Sequence, residues 1–358
     1  MLVNVNKEKA VGTASALVYI VLVNWNGWRD TVECLESLRN LAYDNFRTII
    51  VDNKSGDDSV RNILRWSVGE IPVQVPPYIA REGCAHSQNE AVHVDVIGEN
   101  AYAVNMEMQP NGGITIIEAN DNRGFASGCN IGIKYALGDP ACKYVWLLNN
   151  DTVVEKNALT CLVNKYSGGT KYGMCGSTLL YYSNPEFIQS LGGKFNPVFA
   201  VNKQCFVDVP LKSVENIDEG DIESRIDYVV GASLLISRKF LESVGLLDEG
   251  LFFYFEELDW YFRSQRHYTT GYAKDSLVYH KVGQSIEREK TCIGAEHYYW
   301  VRNRILLTKK YHPGMLMFVC LHVVAAILKK TLSADWKFCS VTLAALYDGL
   351  NNKTGKRS

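Results

Sequence analysis

Glu256-Glu257-Leu258-Asp259-Trp260 puts three carboxylates on one short segment, directly behind the aromatic run Phe252-Phe253-Tyr254-Phe255. A solvated acidic helix face would have polar neighbours. The apolar run predicts instead that these carboxylates open onto a pocket, where burial and mutual repulsion raise carboxylate pKa values and make a usable general base. The plainer reading is an acidic first helical turn favoured by the helix dipole.

A second group, Asn149-Asn150-Asp151, follows the apolar run Tyr144–Leu148. One carboxylate at a strand end can bind a divalent cation, leaving positions for water and substrate phosphates. The alternative is a turn into a helix over Val154–Val163, capped by Asp151 or Thr152. His280 ends the run Ser276–His280, as a ligand beside that cation or as a plain strand-end histidine. Arg302, Asn303 and Arg304 follow Tyr298-Tyr299-Trp300 and offer charge to a diphosphate, to a lipid surface, or simply to solvent. Trp260 and Trp300 could stack on an acceptor sugar, although core packing is the default for both. Cys84, His86 and His93 share a segment but lack a fourth ligand nearby, so no metal is assigned there.

These residues need a scaffold, and the first half of the chain supplies a β–α alternation. Leu17–Val23, Phe46–Val51, Ile114–Glu118 and Tyr144–Leu148 read as strands; Thr31–Leu41, Val60–Trp66 and Phe125–Leu137 read as helices. The expected fold is α/β, a mainly parallel sheet flanked by helices. Each strand ends in a polar cluster: Asn24/Asn26, Asp52/Asn53, Asn120–Arg123 and Asn149–Asp151. Ligands bind such sheets beyond the carboxyl ends of their strands. Neither GxGxxG nor GxxxxGK[ST] occurs, which argues against a dinucleotide site and a P-loop. Gly69–Gly113 interrupts the alternation as an insertion, and Tyr181–Ile226 as a loop-rich region. Beyond it, Tyr228–Ser237 reads as a strand and Arg238–Val244 as a helix.

With 358 residues and 47% hydrophobic content, the chain can bury a large core. The net charge of -2 excludes a global bias toward nucleic acid, but its distribution is uneven. Residues 301–358 hold ten Lys/Arg and two Asp/Glu, a local +8 against -10 for the first 300, which suits a basic region facing phosphates or an anionic membrane. The ten scattered cysteines, without a CxxC pair, fit a reducing cytoplasm. Lys7 and Lys9 before Ala10–Val23 could mimic a signal peptide, but the Asn24–Gly27 turn favours a buried first strand. Met315–Leu328, a 14-residue apolar run interrupted by His322 and followed by Lys329 and Lys330, reads as a buried or interfacial helix.

Taken in order, the motifs VNWNGW, CLESL, VDNKSGD, NRGFASGCNIGIKYA and YVWLLNNDTVV resemble the inverting glycosyltransferases of family 2, GT-A (Rossmann-like) fold. VGASLLISRKFLESVGLLDEGLFFYFEELDWYFR, LVYH and YYWVRNRILL continue the resemblance to about Tyr311, and it is nearest to the bacterial rhamnosyltransferase-like branch. It implies a GT-A catalytic domain over 1–300, with 181–226 on the acceptor side, and a basic helical, membrane-associated C-terminal region over 301–358. Glu257 would be the catalytic base, with Glu256 and Asp259 tuning or orienting it; an ion pair with Arg263 is the alternative for Asp259. Asn24, Asn26, Asp52, Asn53, Arg123, Asn149, Asn150 and Arg302 would hold the nucleotide donor. Asp151 and His280 would bind Mg²⁺ or Mn²⁺, and Trp260 and Trp300 the acceptor. Asn149 departs from the Asp expected at the first position of the DXD-like motif.

The implied activity is transfer of a sugar, L-rhamnose being the one this branch suggests, from a dTDP- or UDP-linked donor. The acceptor would be a hydroxyl of a growing surface glycan such as O-antigen or capsule, or a lipid-linked acceptor. The expected location is the cytoplasm, at the inner face of the cell membrane. The alternatives are a catalytically inactive, membrane-associated glycan-assembly binding module, or a sugar-phosphate nucleotidyltransferase. The second would open with a Gly-rich loop bearing Arg or Lys, where this chain has NWNGWRD.

Overall fold

A computed structural model describes residues 15–73, 91–101, 111–168, 171–281 and 293–357. Lys7, Lys9, Pro76, Pro77, Cys84 and His86 lie outside the described residues. Strand β1 (Leu17–Asn24) is buried along almost its whole length, as a strand covered on both faces must be. Its side chains alternate: Val18, Ile20 and Leu22 enter one apolar cluster, while Leu17, Tyr19 and Val21 enter another. β2 (Phe46–Asp52), β3 (Val94–Gly98), β4 (Ile114–Glu118) and β5 (Cys142–Leu148) complete a parallel half-sheet in the order β5-β1-β2-β4-β3. The helices α1 (Trp28–Arg39) and α2 (Ser59–Ser67) cover one face, and α3 (Phe125–Gly138) the other. A Cβ on Gly132 of α3 would stand 2.4 Å from Val21 Cγ1, so the close approach of α3 to β1 requires glycine there.

The second half extends the sheet with mixed polarity. Its strands are β6 (Thr152–Val154), β7 (Tyr172–Tyr181), β8 (Asn184–Ser190), β9 (Gly193–Asn196), β10 (Val201–Gln204), β11 (Val209–Pro210), β12 (Ser233–Ser237) and β13 (Thr269–His280). β12 lies antiparallel between β5 and β7, and β13 runs parallel to β7 and antiparallel to β6. β9 and β10 form a separate hairpin.

Four sequence expectations change. The Gly69–Gly113 insertion contributes the edge strand β3. The helix expected over Val154–Val163 starts only at α4 (Ala158–Ser167), because the β-branched Thr152–Val154 pairs with Val278–His280 instead. The 181–226 region contains β8–β11 and α5 (Glu219–Glu223) rather than being mostly loop. The strand expected over Tyr228–Ser237 begins at Ser233.

After α6 (Arg238–Val244) and α7 (Glu256–Ser264), the chain ends in α8 (Ile293–Tyr311), α9 (Leu316–Leu332) and α10 (Trp336–Leu350). Tyr298, Val301 and Ile305 of α8 share a core with Val319 and Val323 of α9 and Ala345 of α10. Leu307 of α8 packs in another core with Leu251, Phe255 and Leu258 around the start of α7. α8 therefore runs through position 300 and is fastened to the sheet domain.

That fastening is polar as well as apolar. Arg302, 1% exposed, donates to the carbonyls of Gly355 (2.6 Å), Gly250 (3.1 Å) and Leu251 (2.8 Å). Asn303, 0% exposed, donates to Leu251 O (2.8 Å), Phe253 O (2.8 Å) and Tyr254 O (3.1 Å). The expectation that Arg302 reaches a diphosphate is thereby corrected: its guanidinium is consumed by backbone carbonyls and packs on Tyr299, 4.8 Å from the ring centroid.

Two outcomes are expected. Gly132→Ala should lower stability by about 1–3 kcal/mol, read from the urea midpoint, because the added methyl overpacks against Val21. Asn303→Ala should cost on the order of 3 kcal/mol by the same measurement, because it strands buried carbonyls of the segment entering α7.

Candidate active site

The polar ends of the parallel strands form one hydrogen-bonded floor. Asn24 and Asp52 are paired in register, and Asn24 Nδ2 donates to Asp52 Oδ1 at 2.8 Å. Ser55 donates to the same carboxylate through Oγ (2.6 Å to Oδ1) and through its backbone N–H (3.0 Å to Oδ2). With two lone pairs on each oxygen, this leaves one acceptor position on Oδ2. Asn24 is fully buried, and its Oδ1 accepts from Thr31 Oγ1 (3.0 Å) with Asn150 Nδ2 at 3.5 Å. It shapes the floor, and as a donor contact it is corrected. Asn26 has a left-handed backbone (φ 53°), and its Oδ1 accepts from Gly56 N–H at 2.8 Å.

Asn53 is also buried and is also corrected. Its Nδ2 donates to Asn122 Oδ1 (3.2 Å) and Gly124 O (3.1 Å), holding the loop before α3. Gly124 has φ 98°, and a Cβ there would meet Phe252 O at 2.2 Å, so the Asn122-Arg123-Gly124 turn docks directly on the aromatic run. Phe125 N–H donates to Phe252 O at 2.8 Å across that contact. Arg123 is half exposed and ion-paired with Glu99, the residue after β3.

At the end of β5, Asp151 Oδ1 lies 3.2 Å from His280 Nε2. His280 Nδ1 lies 3.0 Å from Gln189 Oε1, a contact that fixes the orientation of the ring. Nε2 also lies 3.5 Å from Asn149 Nδ2, so the Asp151 carboxylate, the imidazole and the Asn149 amide converge on one spot. Asn149 Oδ1 is buried beside them and has no hydrogen-bond partner among the described residues. A carboxylate, an oriented imidazole and an orphaned amide oxygen fit a small divalent cation that keeps positions for water and phosphate. Among the described residues no cluster of three His, Cys, Asp or Glu side chains exists. Asn150 is turned away and donates to Thr31 Oγ1 at 2.9 Å.

The acidic segment opens α7, and its carboxylates differ sharply. Asp259 is fully buried and accepts from Arg263 Nε (2.7 Å), Lys310 Nζ (2.8 Å) and Tyr311 OH (2.5 Å). It anchors α7 to α8, so the ion-pair reading replaces a catalytic one. Glu256 is 4% exposed, and its Oε1 has no partner among the described residues. Burial, then the neighbouring Glu257 charge, pushes its carboxyl up to about 8. Glu257 is partly exposed; burial raises its pKa, against backbone N–H donors that include Gly231. Gly231 is followed by Ala232, whose carbonyl accepts from Asn149 N–H at 3.0 Å. Two consecutive residues thus tie Glu257 to the Asp151 group.

Trp260 is fully buried and donates from Nε1 to Gly245 O at 3.0 Å, which corrects its reading as an acceptor platform. Trp300 is half-buried, with the Arg304 guanidinium 5.1 Å from its ring centroid. Sequence reasoning missed Ser55, Gln189, Gly231 and Lys281. The buried Lys281 pairs with Asp30 (3.0 Å) and Glu33 and pins the end of β13 to α1. Its signal was available: a lysine directly after the strand-end histidine, and two acids three positions apart on α1.

A family model described as glycosyl transferase family 2 matches residues 101–209. The low-salt glycan biosynthesis hexosyltransferase Agl10 of Haloferax volcanii is 21% identical over 249 residues, covering 68% of this chain and 78% of that protein. The dTDP-rhamnosyl transferase RfbF of Shigella flexneri is 23% identical over 246 residues, covering 65% and 77%. Among solved structures, the mannosyltransferase PcManGT from Pyrobaculum calidifontis, in complex with GDP-Man and Mn²⁺, matches with TM-score 0.50 and 13% identity, over 95% of this chain and 89% of that one. GalNAc-T7 with UDP, GalNAc and Mn²⁺ matches with TM-score 0.51 and 15% identity, over 75% of this chain and 44% of the other. Sheet, relatives and family model agree on a glycosyltransferase of the GT-A fold, in which residues 101–209 match the glycosyl transferase family 2 model.

Proposed function

We propose that the chain transfers a sugar from a nucleoside-diphosphate donor to a hydroxyl of a growing glycan, with inversion, and that Glu257 is the base. The observation that supports this reading is the link from Glu257 through Gly231-Ala232 to Asn149, which connects a partly exposed carboxylate of raised pKa to the strand end that carries Asp151. Glu257 accepts the proton of the acceptor hydroxyl as that oxygen attacks the anomeric carbon and the bond to the diphosphate breaks. A single displacement needs one base and no covalent nucleophile. Asp151, His280 and Asn149 would hold Mg²⁺ or Mn²⁺, which when bound supplies Lewis-acid stabilisation to the departing diphosphate. The free acceptor position on Asp52 Oδ2 suits the ring N–H of uracil or thymine. Arg123, once released from Glu99, suits the nucleotide. The RfbF likeness makes dTDP-rhamnose the first donor to try, with UDP-sugars next. The eight described cysteines are all unpaired, which suits the cytoplasm, where nucleotide sugars are made.

Transfer from a panel of nucleotide sugars with Mn²⁺ or Mg²⁺ tests the reading. Glu257→Gln should lower kcat about 100-fold or more while donor binding persists; full activity in that variant sinks the base assignment. A second outcome concerns Glu256. Its folded pKa of about 8 lies above the ordinary 4.5, so the folded state holds a proton that the unfolded chain releases between those values. Stability should therefore fall as pH rises through that window. Glu256→Gln should flatten the fall, measured as the urea midpoint against pH; parallel wild-type and variant curves would show that Glu256 does not titrate there.

A further inference from the structure

α9 buries one side only. Val319, Val323 and Ile327 face α8 and α10, while Met317 (65% exposed), Leu321 (59%), Leu328 (61%) and Leu332 (91%) lie open to solvent. Together with Val324 they recur every three or four positions, so they form one stripe along the helix. Trp336, 64% exposed, stands just beyond its end. At the other side the stripe meets the β9–β10 hairpin, where the exposed Phe199 packs its ring 5.4 Å from that of His322. Lys329 and Lys330 in the last turn of α9, and Lys337 at the start of α10, border this surface. Asp335 pairs with Lys330 (3.5 Å) and Asp348 with Lys353 (2.8 Å), so the excess positive charge at this border comes from Lys329 and Lys337.

Pro313–Leu332 is, by length and composition, long and apolar enough to cross a membrane, and little of it is buried. Its packing favours lying along a surface instead. His322, in the middle of α9, bonds the Arg304 side chain at 2.8 Å, and Cys339 of α10 bonds Ile327 O at 3.6 Å. α8 is in turn fixed to residues 250–254 by Arg302 and Asn303. Crossing a bilayer would break the Arg304–His322 and Cys339–Ile327 contacts that hold α9 to its neighbours; lying in the interface breaks neither. An apolar stripe bordered by lysines is the pattern that binds anionic interfaces.

The hairpin connects this face to the chemistry. Asn202 of β10 donates to Tyr228 OH at 3.1 Å, and Gly193 N–H of β9 donates to Tyr228 O at 2.9 Å. Tyr228 shares a buried cluster with Phe255 and Leu258, which flank the Glu256-Glu257 pair. We propose that the exposed face of α9, continued by Phe199 and Trp336, seats on an anionic lipid bilayer, and that the acceptor is a glycan carried by that membrane. The acceptor half of this inference rests on the glycosyl-transfer reading; the docking half does not.

The test is co-sedimentation of the full chain with vesicles of phosphatidylcholine alone or mixed equally with phosphatidylglycerol. Wild type should bind the mixed vesicles and release as salt rises. Leu321→Glu/Leu328→Glu should weaken binding about ten-fold or more, and Lys329→Glu/Lys330→Glu should abolish the preference for phosphatidylglycerol. Donor hydrolysis without vesicles should be unchanged in both variants, since neither touches the site. Unchanged vesicle binding in the leucine variant overturns the docking face. So does absence of binding together with a wild-type dimer, by sedimentation equilibrium, that the same variant dissociates, which would make the face a contact between copies. Absence of donor hydrolysis in wild type bears on the transferase reading alone.

Discussion

The site depends on a stretch of backbone that would not hold its shape alone. Phe252, Tyr254 and Phe255 have φ of 64°, 72° and 76°, a region that side chains with a Cβ rarely occupy, at a cost on the order of 1–3 kcal/mol each. The strain persists because Asn303 and Arg302 bind the carbonyls of this segment from α8, and because Phe252 O also takes the Phe125 N–H. α7 begins where this run ends, so its first-turn carboxylates point where the run sends them.

Charge then separates those carboxylates. Arg263 and Lys310 both pair with Asp259, a turn along from the start of α7. Glu256 and Glu257 are left with backbone N–H donors and each other, and burial raises both. The same local sequence thus yields one carboxylate tied into the architecture and a neighbouring buried pair whose pKa values are raised. On the opposite side, Gln189 orients His280 and Lys281 secures its strand, so the Asp151–His280 contact is also held from behind.

Much of this was legible from the residues. The apolar runs marked the strands β1, β2, β4 and β5, because parallel strands buried on both faces read as continuous hydrophobic stretches. The polar clusters after them marked the edge where Asp52 and Asp151 gather. What failed to show has physical causes. β3 is an edge strand of only five residues and only partly buried, so its pattern is faint. Arg302 and Asn303 looked like solvent or ligand contacts because their partners, carbonyls some fifty residues away, leave no trace in side-chain type. Trp260 and Asn24 have the residue types of ligand contacts, and only burial reveals that they serve the core and the floor.

The tie between Gly250 and the chain beyond α10 also imposes an order in time. Gly250 O accepts from both Arg302 and the backbone N–H of Gly355. During synthesis from the amino end, the parallel half-sheet has its partners early and can fold as a unit. The segment that aims Glu257 gains its restraints only after Arg302, Asn303 and Gly355 have emerged. A nascent chain would therefore own the polar floor around Asn24 and Asp52 well before the proposed base was held in place.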